Sequence, residues 1–240
     1  TGHYPHRHGM TSNTDNIGAS VHELQDRPEL LSRRLLSAGY RCGYTGKWHL
    51  GTEWEEMFDQ PTEPSLPKHV GFEGQNFPGH GAGGFYYDEY KEYLAQNGWE
   101  HKVDRPSGPA VRGCGVLQGP VESTMPYFLT EHTLNLLDRY QESDEPFFIW
   151  HNFWGPHSPY LATQKYYDMY KDVDIPEWPS YRWDEAPENA PLAMSRPPGA
   201  ASIPWEQMAE AVRHYYAFTT MIDDQIGRLL DSLEERGLMD

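Results

Sequence analysis

No apolar run in this chain approaches the roughly 20 residues that a membrane-crossing helix requires, so nothing in it reads as a transmembrane helix. Cysteine is nearly absent: Cys42 and Cys114 are the only two among 240 residues. Two cysteines so far apart make neither a zinc cluster nor a disulfide framework, and they leave the redox compartment undecided. Cys42, in a predicted strand, reads as a small buried hydrophobe; Cys114 reads as a free thiol in a glycine-rich loop. Positive charge is also short, with 19 Lys and Arg against 36 Asp and Glu, a formal net charge of −17. That balance excludes general nucleic-acid binding, which draws on clustered cations. It does not exclude a small anionic ligand, because a few local cations dominate a cleft. There is no internal repeat and no low-complexity tract. No signal peptide is visible, and with Thr as the first residue that absence carries no weight.

What is present is an alternation of helix and strand patterns. Residues 30–38 are amphipathic and end at Gly39, which adopts the left-handed terminating conformation cheaply. Residues 130–140 carry Leu134 and Leu137 at helical spacing. Residues 147–153 are a continuous apolar and aromatic run of strand length, the pattern of a buried parallel strand. Residues 205–236 place Met208, Val212, Tyr215, Ile222, Ile226, Leu229 and Leu233 at helical spacing, three, four or seven apart, with Gly237 as terminator. Helix followed by buried strand, twice, predicts an α/β sheet with crossover helices. Between these elements, residues 51–84, 97–126 and 172–204 are heavy in Pro, Gly, Trp and Tyr. They are too aromatic for disordered linkers, and ordered excursions of that length build binding walls. In the first of them, Glu53, Glu55, Glu56 and Asp59 read as a solvated surface with Trp54 and Phe58 turned inward. At this length the chain forms one sizeable domain or two small ones.

The densest run is residues 39–51, GYRCGYTGKWHLG. If Lys47-Trp48-His49 is extended, Lys47 and His49 share one face and Trp48 takes the other. A cation and an imidazole backed by an apolar anchor suit a site that receives an anion and moves a proton. The same residues also describe a surface lysine and a core-edge histidine beside a buried tryptophan. His157 lies in a loop beyond the 147–153 strand, between Pro156 and Pro159, where ligands gather in open α/β sheets. A turn histidine bonded to backbone fits there too. Trp154, His151 and Asn152, near the same strand end, suit either a pocket wall or core packing.

Residues 39–51 resemble the second signature of the sulfatase family, with departures at Cys42 and Thr45 that touch neither Lys47 nor His49. Three more segments agree in order. Residues 1–9, TGHYPHRHG, resemble the tail of the family's first signature. Residues 146–159, PFFIWHNFWGPHSP, resemble its apolar strand ending in a P-H-x-P loop. Residues 216–227, with Asp223, Ile226 and Gly227, resemble the long helix before its second acidic metal motif. The resemblance implies an alkaline-phosphatase-like α/β sandwich with a mostly parallel central sheet, incomplete in this chain. Residues 1–240 would be the middle of a single catalytic domain. The nucleophile and first metal motif are expected upstream, and the second metal motif downstream.

The function so implied is hydrolysis of a sulfate ester, a carbohydrate sulfate first, through a formylglycine nucleophile outside this chain. Calcium is the implied metal, its ligands also outside, and a formylglycine-generating maturation enzyme the implied partner. A periplasmic or secreted location follows from the family alone. By resemblance, Lys47 contacts nucleophile and sulfate, His49 takes a proton from the formylglycine hydroxyls, and His157 contacts the anion and protonates the leaving group. Trp154 joins Lys47 and His157 as substrate-binding. The alternatives are a phosphonate monoester or phosphodiester hydrolase of the same superfamily, and a non-catalytic binder of sulfated glycans. His3, His6 and His8 have no standard metal spacing. Arg7 reads as a structural bridge, and the adjacent Asp223 and Asp224 point apart on their helix.

Overall fold

The computed structural model describes residues 1–12, 21–51, 65–77, 81–181 and 203–239. The acidic cluster at Glu53, Glu55, Glu56 and Asp59, with Trp54 and Phe58, lies outside the described residues. The chain divides into two units.

The first unit comprises Thr1–Trp99, Met125–Trp154 and Asp224–Asp240. It contains α1 (Pro5–His8), α2 (Leu31–Ser37), β1 (Arg41–Gly46), β2 (Glu73–Gly74), α3 (Asp88–Gln96), α4 (Met125–Tyr140) and β5 (Phe147–Asn152). Its sheet has the order β2-β1-β5 and is parallel throughout, with Arg41 opposite Phe147 and Gly46 opposite Asn152. Alternation along β1 explains the layering. Cys42 and Tyr44 face Leu30, Val70 and Phe72, and the Ser32 hydroxyl of α2 reaches the Val70 carbonyl at 2.6 Å. Gly43 and Thr45 face α4: a side chain on Gly43 would meet Leu136 and Tyr140, and Thr133 Oγ1 donates to Thr45 Oγ1 at 2.9 Å. The central strand is thus covered on both faces, as a parallel strand requires.

Gly39 ends α2 as expected, with φ +85 and its N–H on the Leu36 carbonyl at 3.0 Å. α4 begins five residues earlier than the periodicity suggests. α3, absent from the sequence-based expectation, buries Tyr90 and Leu94 against Phe77, Phe128 and Trp154. β5 is parallel as predicted but only half-buried, because its sole strand partner among the described residues is β1; Trp150 is 43% exposed.

The second unit comprises Glu100–Thr124 and Gly155–Asp223. It holds β3 (Lys102–Asp104), β4 (Cys114–Gln118), β6 (Tyr160–Thr163), α5 (Gln164–Tyr167) and the first part of α6 (Trp205–Glu235), which runs on into the first unit beyond Asp223. Its sheet, β3-β4-β6, pairs β3 antiparallel and β6 parallel with β4. Residues read as irregular on composition therefore carry a sheet, and Cys114 is a strand residue, not a loop residue. It is buried to 1% exposure, which pushes its thiol pKa up to about 11. No described helix is long and apolar enough to cross a membrane.

Candidate active site

β1 ends at Gly46, because the chain turns there. Gly46 has φ +95, and a Cβ added to it would stand 1.7 Å from the Asn152 carbonyl oxygen. Only glycine allows β1 and β5 to approach so closely in that conformation. The turn is then pinned from three strands. Gly46 N–H donates to Gln75 Oε1 at 3.0 Å, and Gln75 N–H donates to the Tyr44 carbonyl at 3.0 Å. Lys47 N–H donates to the Asn152 carbonyl at 3.0 Å. The Lys47 carbonyl accepts from the Tyr44 hydroxyl and from Asn152 Nδ2, the latter at 3.2 Å. Asn152 Nδ2 also donates to Tyr44 Oη at 2.6 Å. The backbone of Lys47 is consequently fixed at the carboxyl end of a parallel sheet.

Its side chain is half-buried, and burial lowers the ammonium pKa. Lys47 has no ion-pair partner among the described residues. A partly desolvated cation without a counter-charge attracts an anion strongly, since less water screens it. Trp48 is the expected anchor. It is 6% exposed and packs edge-on to Tyr44 at 5.1 Å and Phe72 at 6.4 Å. His49, half-buried, takes φ +55, the left-handed region that a β-carbon disfavours. Such backbone strain concentrates at functional sites.

The β5 end supplies two further residues in the same unit. His151 is a brace: its Nδ1 lies 2.7 Å from Thr133 Oγ1, which itself donates to Thr45. Nδ1 therefore carries the proton. Burial pushes the His151 pKa down to about 4, so the ring is neutral near neutral pH. Trp154 is 5% exposed and packs against Tyr87 at 5.5 Å and Phe77 at 5.8 Å, as core residues do. Yet its indole N–H has no acceptor among the described residues, an uncommon condition for a buried donor.

In the second unit His157 is exposed, in the loop ahead of β6. Its Nδ1 lies 2.6 Å from the Ser158 carbonyl. A carbonyl only accepts, so Nδ1 holds the ring proton, and Nε2 has no hydrogen-bond partner among the described residues. The backbone bond anticipated for a turn histidine is therefore compatible with acid chemistry at the other nitrogen.

His3 and His6 are exposed around α1, and Arg7 is an exposed residue of that helix. Asp223 and Asp224 are exposed on α6. Among the described residues no group of three or more His, Cys, Asp and Glu could hold a metal ion. Tyr44, Gln75 and Thr133 were not singled out from sequence. Their roles come from strand pairing and helix packing, for which a single sequence carries no local signal.

A sequence profile described as Sulfatase matches residues 1–240. The choline-sulfatase of Rhizobium meliloti is 26% identical over 97% of this chain and 44% of its own length. The phosphonate monoester hydrolase of Agrobacterium radiobacter superimposes with TM-score 0.62 at 20% identity, covering 90% of this chain and 46% of that one. A protein solved with its substrate D-glucosamine-2-N,6-O-disulfate superimposes with TM-score 0.53 at 17% identity, over 100% of this chain and 52% of that one. The chain spans less than half the length of the curated relatives it matches. The fold it shares with these structures is the alkaline-phosphatase-like α/β fold.

Proposed function

The chain belongs to the sulfatase family, and on that footing we propose that the protein carrying it hydrolyses a sulfate ester, a carbohydrate sulfate in particular, to an alcohol and inorganic sulfate. Residues 1–240 form the middle of one catalytic domain in this reading. The carrying observation is Lys47: a half-buried ammonium, without a counter-charge among the described residues, held by its own backbone at the carboxyl end of a parallel sheet. Such a cation binds the sulfate group and offsets charge that develops as the S–O bond breaks. His49 follows two residues later on a strained backbone, and is the proposed proton acceptor. His157 suits leaving-group protonation, because its Nδ1 is committed to Ser158 and its Nε2 is open. The buried, unmet N–H of Trp154 suits an acceptor on the substrate.

Sugar as the alcohol is supported by the aromatic-rich residues 172–204, since aromatic faces stack on sugar rings. Exposed Trp178 there lies 5.6 Å from Trp205, which also packs on Tyr181 at 5.0 Å. Formylglycine and calcium are the groups the family implies, and neither fits the described residues. Cys42 and Cys114 are both fully buried, with pKa values raised by that burial, and no described cluster suits a metal. In the proposed reading the residues that hold those groups lie outside this chain.

The test is steady-state hydrolysis of an aryl sulfate by the whole protein. Lys47→Ala should lower kcat by about 10²-fold or more, the usual cost of removing an oxyanion donor. Turnover close to that of the unsubstituted enzyme would sink the assignment.

A further inference from the structure

Gln75 follows β2 directly and is 3% exposed. Its carboxamide is oriented without ambiguity, because Oε1 accepts the Gly46 N–H at 3.0 Å. That leaves Nε2, with two N–H donors, and Nε2 is buried with no partner among the described residues. Asn152, on the opposite flank of β1, is different: its Nδ2 serves both Tyr44 Oη and the Lys47 carbonyl. A buried amide donor left unmet costs on the order of 1–3 kcal/mol, so its retention calls for an acceptor. The residue bonded to Gln75 immediately precedes Lys47, whose ammonium also lacks a counter-charge among the described residues. A neutral donor and a cation, both wanting an acceptor, thus stand at one sheet end within one unit. A polyoxygen anion answers both.

We propose that Gln75 is an anion-binding residue, its Nε2 donating to an oxygen of the same sulfate group that Lys47 holds. The inference rests on the functional reading above. It assigns Gln75 two tasks at once: Oε1 fixes the turn that presents Lys47, and Nε2 meets the ligand. A neutral donor placed there adds binding without adding charge, which suits a monoanionic sulfate ester.

The experiment measures the affinity of the whole protein for inorganic sulfate by titration calorimetry, with thermal unfolding in parallel. Gln75→Glu keeps an acceptor for Gly46 and replaces the donor with a carboxylate. Gln75→Met keeps the length and removes both functions, and serves if the buried glutamate does not fold. Each should weaken sulfate binding about 10- to 100-fold, the worth of a hydrogen bond to a charged group. In Gln75→Glu the affinity should recover as pH falls and the carboxyl gains a proton, a signature that a structural brace lacks. Lys47→Ala is the control for the functional reading. If it loses sulfate while both Gln75 variants bind as the unsubstituted protein does, the Gln75 inference alone is overturned. If the unsubstituted protein binds no sulfate, both fall together.

Discussion

Replacing Gly46 by alanine should damage both the fold and the site, and the size of the damage can be separated into parts. Gly39 supplies the reference. Both glycines have positive φ, +95 for Gly46 and +85 for Gly39, so an alanine at either incurs a backbone strain of about 1–2 kcal/mol. Both substitutions also restrict the unfolded chain equally, an effect of about 0.4–1 kcal/mol that cancels in the difference. What differs is space. A Cβ at Gly39 meets nothing within 4 Å, whereas at Gly46 it stands 1.7 Å from the Asn152 carbonyl oxygen. Neither partner is a flexible side-chain end, so β1 and β5 must separate. The bonds then lost are Lys47 N–H to Asn152, Asn152 Nδ2 to Lys47 and the Tyr44 hydroxyl to Lys47. At about 1 kcal/mol each they sum to roughly 3 kcal/mol. Gly46→Ala should therefore be about 3 kcal/mol less stable than Gly39→Ala, measured from urea midpoints at a common m value. Its kcat should fall about 100-fold, because Lys47 is displaced by an ångström or more, while Gly39→Ala keeps normal turnover. Equal stability of the two variants within about 0.5 kcal/mol would refute the close-approach reasoning.

Two other outcomes follow from buried groups. Burial holds the His151 pKa near 4 in the folded protein, against about 6.5 when unfolded. As pH falls from about 6.5 to 4, the unfolded chain takes up a proton that the folded one refuses, so stability declines by up to about 3 kcal/mol from this group. His151→Asn, which keeps a donor for Thr133, should flatten that decline by about one proton in urea titrations at successive pH values; parallel curves would show His151 is not the group responsible. Trp154→Phe keeps the aromatic packing and removes only the unmet N–H. It should raise KM for a sulfate ester about tenfold, the worth of one hydrogen bond, while changing stability by under about 1.5 kcal/mol. An unchanged KM would return Trp154 to the core.

The elements legible in the sequence were those with a strong local pattern. The glycine stop after α2, the α6 periodicity and the apolar run of β5 each carry their signal within a few residues. α3 was not legible: its two buried residues, Tyr90 and Leu94, are too few to mark a face between glycine-rich neighbours. The β3-β4-β6 sheet was hidden because strands of three to five residues announce themselves only through their partners. At the site, Lys47, His49 and Trp48 stood out by residue type. The backbone that carries them was not legible, since nothing in the sequence signals φ +95 at Gly46 or φ +55 at His49. Gln75 was invisible for a stronger reason. Nothing around it in the chain marks it, and its meaning arises only when β2 lies beside β1 and the amide meets Gly46.

The bonding of Tyr44 and Asn152 to the Lys47 carbonyl has a bearing on any screen of random variants scored by activity alone. Tyr44→Phe and Asn152→Ala each remove a tether from the residue that presents the cation, while neither side chain has a place in the proposed chemistry. Both would score as inactive and be sorted with Lys47 and His49. Separating them takes a second axis: an added small amine could restore function where only the cation is missing, and would do nothing where the scaffold beneath it has slipped.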